Sequence, residues 1–237
     1  MAAGLIFCMF TGYAVDRIDI WGWDHALAIV PLAWAFSAFA MGGVANSVNI
    51  IDGLHGLSTG TVMVMLAGFA IIASSQKDLL LTDLSLILAA VTAGVFVVNF
   101  PLGKLFLGDA GAYFLGFLLA CIAVMLPVRN PDVSPWVSLM ICAYPIVETV
   151  YSMWRRRLAG QRTGEPDNAH LHQLLHARLL RAGWKTANPM AAVMLWSLPI
   201  LSFGFILTGN MTTFASILQF VGFFVVYRLI YALVSRE

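Results

Sequence analysis

The feature that most restricts this chain is a succession of long apolar runs without alternation. Eight can be delimited, at residues 2–15, 25–45, 61–75, 84–98, 112–128, 135–154, 190–207 and 213–234. Several approach the ~20 residues that a helix needs to cross about 30 Å of hydrocarbon. Lipid offers backbone groups no hydrogen-bond partners, so only helices and closed barrels span it. Runs of Leu, Val, Ala and Phe with no two-residue period point to helices. Only 11% of the residues are charged and mean hydropathy is +0.86, whereas soluble domains carry about 25% charge. The expected fold class is therefore all-α, a polytopic membrane bundle of about eight transmembrane helices. It forms one domain over residues 1–237, with a polar loop at 155–189. The runs at 61–75 and 84–98 are the shortest for a crossing. No basic residue precedes the first run, which reads as a helix of the bundle rather than a cleaved signal. Cys8, Cys121 and Cys142 all fall inside apolar runs, where cysteine behaves as a small hydrophobe.

Eight crossings divide the connections between two faces. Residues 16–24, 76–83, 129–134 and 208–212 hold three basic side chains (Arg17, Lys77, Arg129) and six acids. Residues 46–60, 99–111, 155–189 and the C-terminus hold nine of the thirteen Lys and Arg. The positive-inside rule makes this second face cytoplasmic, and so predicts a multi-pass protein of the plasma (inner) membrane. A net charge of +1 gives no general attraction to an acidic partner, and no nucleic-acid ligand is expected.

The polar residues that break the apolar pattern cluster on that same face. "ANSVNIIDGLHGLSTG" places Asn46, Asn49 and Asp52 at three-residue steps, within about a 120° arc if the helix continues. Interfacial hydration is the plain explanation for Asn46; an acid inside "NIIDGL" asks for a partner, because a charge near lipid is costly. "NFPLGKLFLGDAGAYF" sets Asp109 between glycines where a helix begins. Such an acid caps a helix well, and Gly-flanked oxygens are also how Mg²⁺ is held beside substrate phosphates. Lys104 could supply a point charge to phosphate. The loop "WRRRLAGQRTGEPDNAHLHQLL" carries Arg162, His170 and His172. Its arginines read as topology determinants or contacts to anionic lipid. The two histidines, two residues apart and without a cysteine, lack zinc-pair spacing and suit anion contacts or acid–base work.

Together the three stretches resemble the polyprenyl-phosphate sugar-1-phosphate transferases, the membrane family of the phospho-MurNAc-pentapeptide translocase and the GlcNAc-1-phosphate transferases. "NSVNIIDGLHGLS" is similar to the family's N-x-x-N-x-x-D-G-x-x-G-L stretch, and "NFPLGKLFLGDAGA" to its N-x-P-x-x-K-x-F-x-G-D-x-G stretch. "PDNAHLHQLL" is similar to the P-D-x-x-H-x-H-H signature of the GlcNAc-type branch. The resemblance implies that a polyprenyl (undecaprenyl) phosphate attacks the β-phosphorus of a UDP-sugar, releasing UMP, with Mg²⁺ as cofactor. By resemblance Asp109 and Asn49 hold the metal, and Asp52, Asp109, His170 and His172 are the catalytic group. Asn46, His55, Asn99, Lys104 and Arg162 then contact substrate. Partners implied are a UDP-sugar, the polyprenyl phosphate, membrane lipid and a second copy of the chain. Glu148, in "YPIVETV", stands where the family often has an acid; an interfacial residue is the equal alternative.

This chain departs from the pattern at His55, where the family often has Asp, and at Gln173, where it has a last histidine. The family also carries an adjacent Asp-Asp pair upstream, with roughly three more N-terminal helices, and no Asp-Asp occurs here. Met1 thus reads as an internal start, a truncated gene model or a genuine deletion, and this form alone is expected to transfer little. Two other functions remain open at this level: a remnant that only binds lipid or nucleotide, and a transporter with polar groups at broken helices.

Overall fold

A computed structural model describes residues 1–160, 168–207 and 212–236, and these contain helices and no strand. In chain order they are α1 (Ala2–Thr11), α2 (Trp23–Leu27), α3 (Val30–Ile50), α4 (Leu57–Ser75), α5 (Leu79–Asn99) and α6 (Gly108–Arg129). There follow α7 (Pro135–Ile141), α8 (Ala143–Leu158), α9 (Leu171–Arg181), α10 (Ala187–Leu195), α11 (Ser197–Ile206) and α12 (Thr213–Ser235). Among the described residues five stretches are long and apolar enough to cross a membrane: α4, α5, α6, α10–α11 together, and α12. The pair α7–α8, bent by 80°, makes a sixth. The protein is a helical membrane bundle. Of the two other expected spans, α3 has the length, 21 residues, but ends on Asn46, Ser47 and Asn49, and α1 is apolar but only 10 residues long.

Helix boundaries follow local chemistry. The break between α7 and α8 falls at Cys142, three residues before Pro145. A proline there has no N–H to give to Ile141 and its ring crowds that carbonyl, which favours a kink or break at this point. Pro199 sits in the same relation to the α10–α11 junction at Trp196. Both short runs lengthen. α4 begins at Leu57 because Ser58, Thr59 and Gly60 are small enough to be buried in helix contacts. α5 begins at Leu79, where the Asp78 carboxylate caps it by accepting from the Leu81 amide at 3.3 Å.

The main packing pairs are α3 with α6 and α4 with α5; α1 lies on α3, and α7, α8 and α11 close the other side. A Cβ on Gly116 would lie 2.8 Å from Ala45 Cα, so α6 meets α3 backbone to backbone at this level. Side-chain bonds between connections separate the two ends of the bundle as the charge pattern predicts. At one end Thr213 and Ser134 donate to Asp19 at 2.5 and 3.1 Å, and Trp136 Nε1 donates to the Ile18 carbonyl at 2.9 Å. Here too Arg129 grips Asp78 with two bonds of 2.7 and 2.9 Å, backed by the Asn130 amide at 3.2 Å. The opposite end collects the three polar stretches.

The guanidinium of Arg129 holds the Asp78 carboxyl below the usual carboxylate range. A depressed carboxylate stabilises the fold above its unfolded pKa and loses that contribution as pH falls through the lowered value. Asp78→Asn should therefore lower the thermal midpoint in detergent at neutral pH. The loss should lie below the about 3–5 kcal/mol of a fully buried pair, because Arg129 keeps 28% exposure. It should shrink below about pH 4, where the wild-type carboxylate begins to be protonated as well. Equal midpoints at neutral pH would contradict this latch.

Candidate active site

The close α3–α6 contact sets the first half of the site. One turn beyond Ala45, Asn49 leaves the last turn of α3 and donates from Nδ2 to Asp109 Oδ1 at 3.1 Å. Tyr113 of α6 donates to Asn46 Oδ1 at 3.3 Å. Asp109 stands in the first turn of α6, where the helix dipole favours an acid, and is exposed. Asp52 follows the end of α3, half-buried, and accepts a short bond from the Ser58 hydroxyl of α4. Burial lifts the Asp52 carboxyl above the ordinary carboxylate range. The Ser58 bond opposes this rise and the negative charge of Asp109 adds to it. Two acids thus face the same space, and their like charges repel.

Asn99 does not point into that space. It is 6% exposed, its Oδ1 accepts from the Gly56 amide and its Nδ2 donates to the Leu105 carbonyl. The side chain is a clamp joining the loop after α3 to the loop after α5. His55 works at the same seam. Its amide donates to Asn188 Oδ1 at 2.9 Å, its Nδ1 is 3.2 Å from the Pro101 carbonyl, and a Cβ on Gly103 would meet its Nε2 at 2.4 Å. Lys104, on the loop between α5 and α6, is exposed.

The third stretch closes over the first. α9 buries Leu171, Leu175 and Leu179 at four-residue steps, and α12 holds it through Arg178 Nη1 donating to the Leu233 carbonyl at 2.6 Å. Gln173 accepts from the His170 amide at 3.2 Å, so the residue that replaces a histidine of the motif caps this helix. His170 and His172 stack with ring centroids 5.6 Å apart and planes 8° apart. A Cβ on Gly53 would lie 2.3 Å from His172 Nε2, which fixes this glycine beside Asp52 as a seat for the ring. His172 is 2% exposed; burial pushes its pKa down to about 4, against the pull of Glu148, so the ring is neutral at pH 7. Its Nδ1 has no hydrogen-bond partner among the described residues. Arg162, with Pro166 and Asp167, lies outside the described residues.

Among the described residues no three His, Cys, Asp or Glu side chains converge as a metal cluster. Mg²⁺ does not require one. It binds through one or two carboxylates and completes its shell with water and substrate phosphate. The hard-oxygen pair Asp109 and Asp52, one of them destabilised as an anion, fits such an ion, with Asn49 at its edge. Sequence reasoning placed Glu148 only as an acid of undecided role. The structure buries it to 1% exposure beneath the histidines.

The glycosyl transferase family 4 model matches residues 1–127, which hold the Asn49–Asp52 and Asp109 stretches. Among curated proteins, the probable undecaprenyl-phosphate N-acetylglucosaminyl 1-phosphate transferase of Bacillus subtilis (strain 168) is 30% identical over 173 residues, covering 73% of this chain and 48% of the relative. The phospho-N-acetylmuramoyl-pentapeptide-transferase of Streptococcus mutans serotype c is 29% identical over 215 residues, 85% of this chain and 60% of its own length. The undecaprenyl-phosphate alpha-N-acetylglucosaminyl 1-phosphate transferase of Escherichia coli (strain K12) is 28% identical over 211 residues, 86% and 56% respectively. The chain spans about half the length of the curated relatives it matches. With the motifs, the site they build and a family model covering more than half of its residues in agreement, this chain belongs to glycosyl transferase family 4.

Proposed function

We propose that this chain carries the site of a sugar-1-phosphate transfer from a UDP-sugar, an N-acetylhexosamine derivative, to a polyprenyl phosphate in cell-wall or surface-polysaccharide assembly. The site faces the cytoplasm across the plasma membrane. The observation that carries the reading is the Asn49–Asp109 bond with Asp52 beside it, an acidic cradle at the ends of α3 and α6. A phosphate oxygen of the lipid bonds to the β-phosphorus, the bridging bond to the α-phosphate breaks, and UMP leaves with the electron pair. Such transfer depends mainly on positioning and on neutralising charge. Mg²⁺ bound by Asp109 and Asp52 would supply that neutralisation to the diphosphate. Asn49 orients the Asp109 carboxylate; exposed Lys104 meets phosphate; Asn46 with Tyr113 lines the approach along α3. His55 and Asn99 hold the loops that carry these groups. His170 contacts phosphate, and the bare Nδ1 of neutral His172 is left for a substrate group. Arg162 is assigned to phosphate by the motif alone. The polar groups sit at helix ends and not at mid-span, which favours an enzyme over a transporter.

The test is Mg²⁺-dependent binding of UDP-N-acetylglucosamine to the chain in nanodiscs, followed by UMP release with undecaprenyl phosphate from a form extended to include an upstream acidic pair. In the 237-residue chain saturating Mg²⁺ with the UDP-sugar should raise the thermal midpoint; ligand at a hundred times its Kd contributes about 2.7 kcal/mol. Asp109→Asn should abolish that rise, and in the extended form should abolish UMP release. An undiminished rise would remove Asp109 from the metal site, and an extended form that releases no UMP would contradict transfer.

A second expectation comes from Asp52. Its folded pKa lies above its unfolded value, so ionisation costs stability once pH rises past the unfolded carboxylate range. Asp52→Asn should raise the unliganded thermal midpoint at pH 7, lose that gain below about pH 4, and destroy Mg²⁺-dependent binding. A less stable variant at pH 7 would show that Asp52 supports the fold and is not held there for function.

A further inference from the structure

Among the described residues, the acid buried beneath the histidine stretch is the most fully bonded carboxylate at this end of the molecule. Glu148 lies on α8 with 1% exposure. Its Oε1 is 3.0 Å from His170 Nδ1 and accepts from the Leu171 amide at 3.1 Å; its Oε2 accepts from the Tyr227 hydroxyl of α12 at 2.6 Å. The Leu171 amide and the Tyr227 hydroxyl fill lone pairs on both oxygens, which is the environment of an ionised carboxylate. A carboxylate can only accept, so the proton between Glu148 and His170 resides on Nδ1. That arrangement fixes the opposite nitrogen. Nε2 of His170 carries the lone pair, or a second proton when the ring is charged, and stands on the edge turned away from Glu148.

We propose that Glu148, locked by Tyr227, is the positioning residue of this site: it sets the tautomer and angle of His170 and presents Nε2 to the anionic diphosphate of the nucleotide. This rests on the transfer reading above. A buried carboxylate behind an imidazole orients the ring and fixes which of its nitrogens carries the proton, and so which one is turned to a ligand. The stacked partner supplies the contrast. His172 has no such carboxylate bond, its Nδ1 is bare, and it is neutral. Two adjacent histidines of one motif are thereby given different work. The network also ties three separate elements, α8, the start of α9 and α12, to one atom pair. Tyr231, one turn after Tyr227, donates to the Ala169 carbonyl at 2.9 Å and holds the residue just before His170.

The test reads the proton directly. The 237-residue chain, labelled with ¹³C and ¹⁵N at histidine, is reconstituted in lipid and its side-chain nitrogens are resolved by solid-state NMR. His170→Gln assigns the His170 signals. Wild type should show Nδ1 protonated at pH 8. Glu148→Leu should turn His170 over to the Nε2–H form, whereas Glu148→Gln, whose amide oxygen still accepts, should keep Nδ1–H. A merely structural acid would change the thermal midpoint and leave the tautomer alone. A bare Nδ1 in wild type overturns the positioning, and this reading stands even if Glu148→Leu fails to fold. An Nδ1–H that persists in folded Glu148→Leu overturns it equally. Saturating UDP with Mg²⁺ should then move the His170 Nε2 resonance. An Nε2 that ignores UDP overturns the diphosphate reading on which the proposal rests, an outcome distinct from a wrong tautomer.

Discussion

Everything at the polar end depends on the backbone contact between α3 and α6. Gly116 lets α6 approach Ala45 so closely that no side chain fits between them. From that point each helix continues one or two turns to the surface, and the residues that emerge side by side are Asn49 and Asp109. Interhelical distance, set by one missing Cβ, is therefore converted into the spacing of two polar side chains. Lipid provides no hydrophobic drive for helices to associate, so close packing of small residues has to supply it. A larger side chain at position 116 would separate the helices and the acids together.

The two ends of the bundle use charge differently. At one, Arg129 and Asp78 are paired, Asp19 accepts from Ser134 and Thr213, and the polar groups are satisfied. That pattern stabilises. At the other, half-buried Asp52 feels the like charge of exposed Asp109, and among the described residues buried His172 keeps an Nδ1 without a partner. Buried groups left in this condition cost free energy, and that cost is tolerated where a ligand completes the set. Between these extremes Glu148 is fully bonded but to an imidazole, a device for orientation more than for stability.

Much of this was legible in the residues. The apolar runs marked the long helices but not α9, which lies in the stretch read as a polar loop, and basic-residue asymmetry sorted the connections onto two ends that the cross-loop bonds reproduce. Four readings needed the structure. Periodicity counts Ser58, Thr59 and Gly60 as loop, although small polar residues bury readily between helices, so α4 was read too short. Pro145 was visible, but a proline inside an apolar run signals either a kink or a break, and only packing decides for an 80° bend. Asn99 shares its motif with the residues assigned to ligands; its amide joins two loops. The histidine pair hid its asymmetry for the same reason, since burial and a carboxylate from a distant helix distinguish His170 from His172.

The central claim is one metal-dependent site gathered at a single end from three stretches of chain. Four of the five histidines report on it, because His55, His170 and His172 lie at that end while His25 is on α2 at the other. The most direct measurement replaces Mg²⁺ by paramagnetic Mn²⁺ and reads the broadening of each histidine resonance in the reconstituted protein. The account predicts strong broadening of His55, His170 and His172 with His25 left sharp, about 30 Å of hydrocarbon away, and none of it in Asp109→Asn. Uniform broadening, or broadening that survives Asp109→Asn, would contradict it.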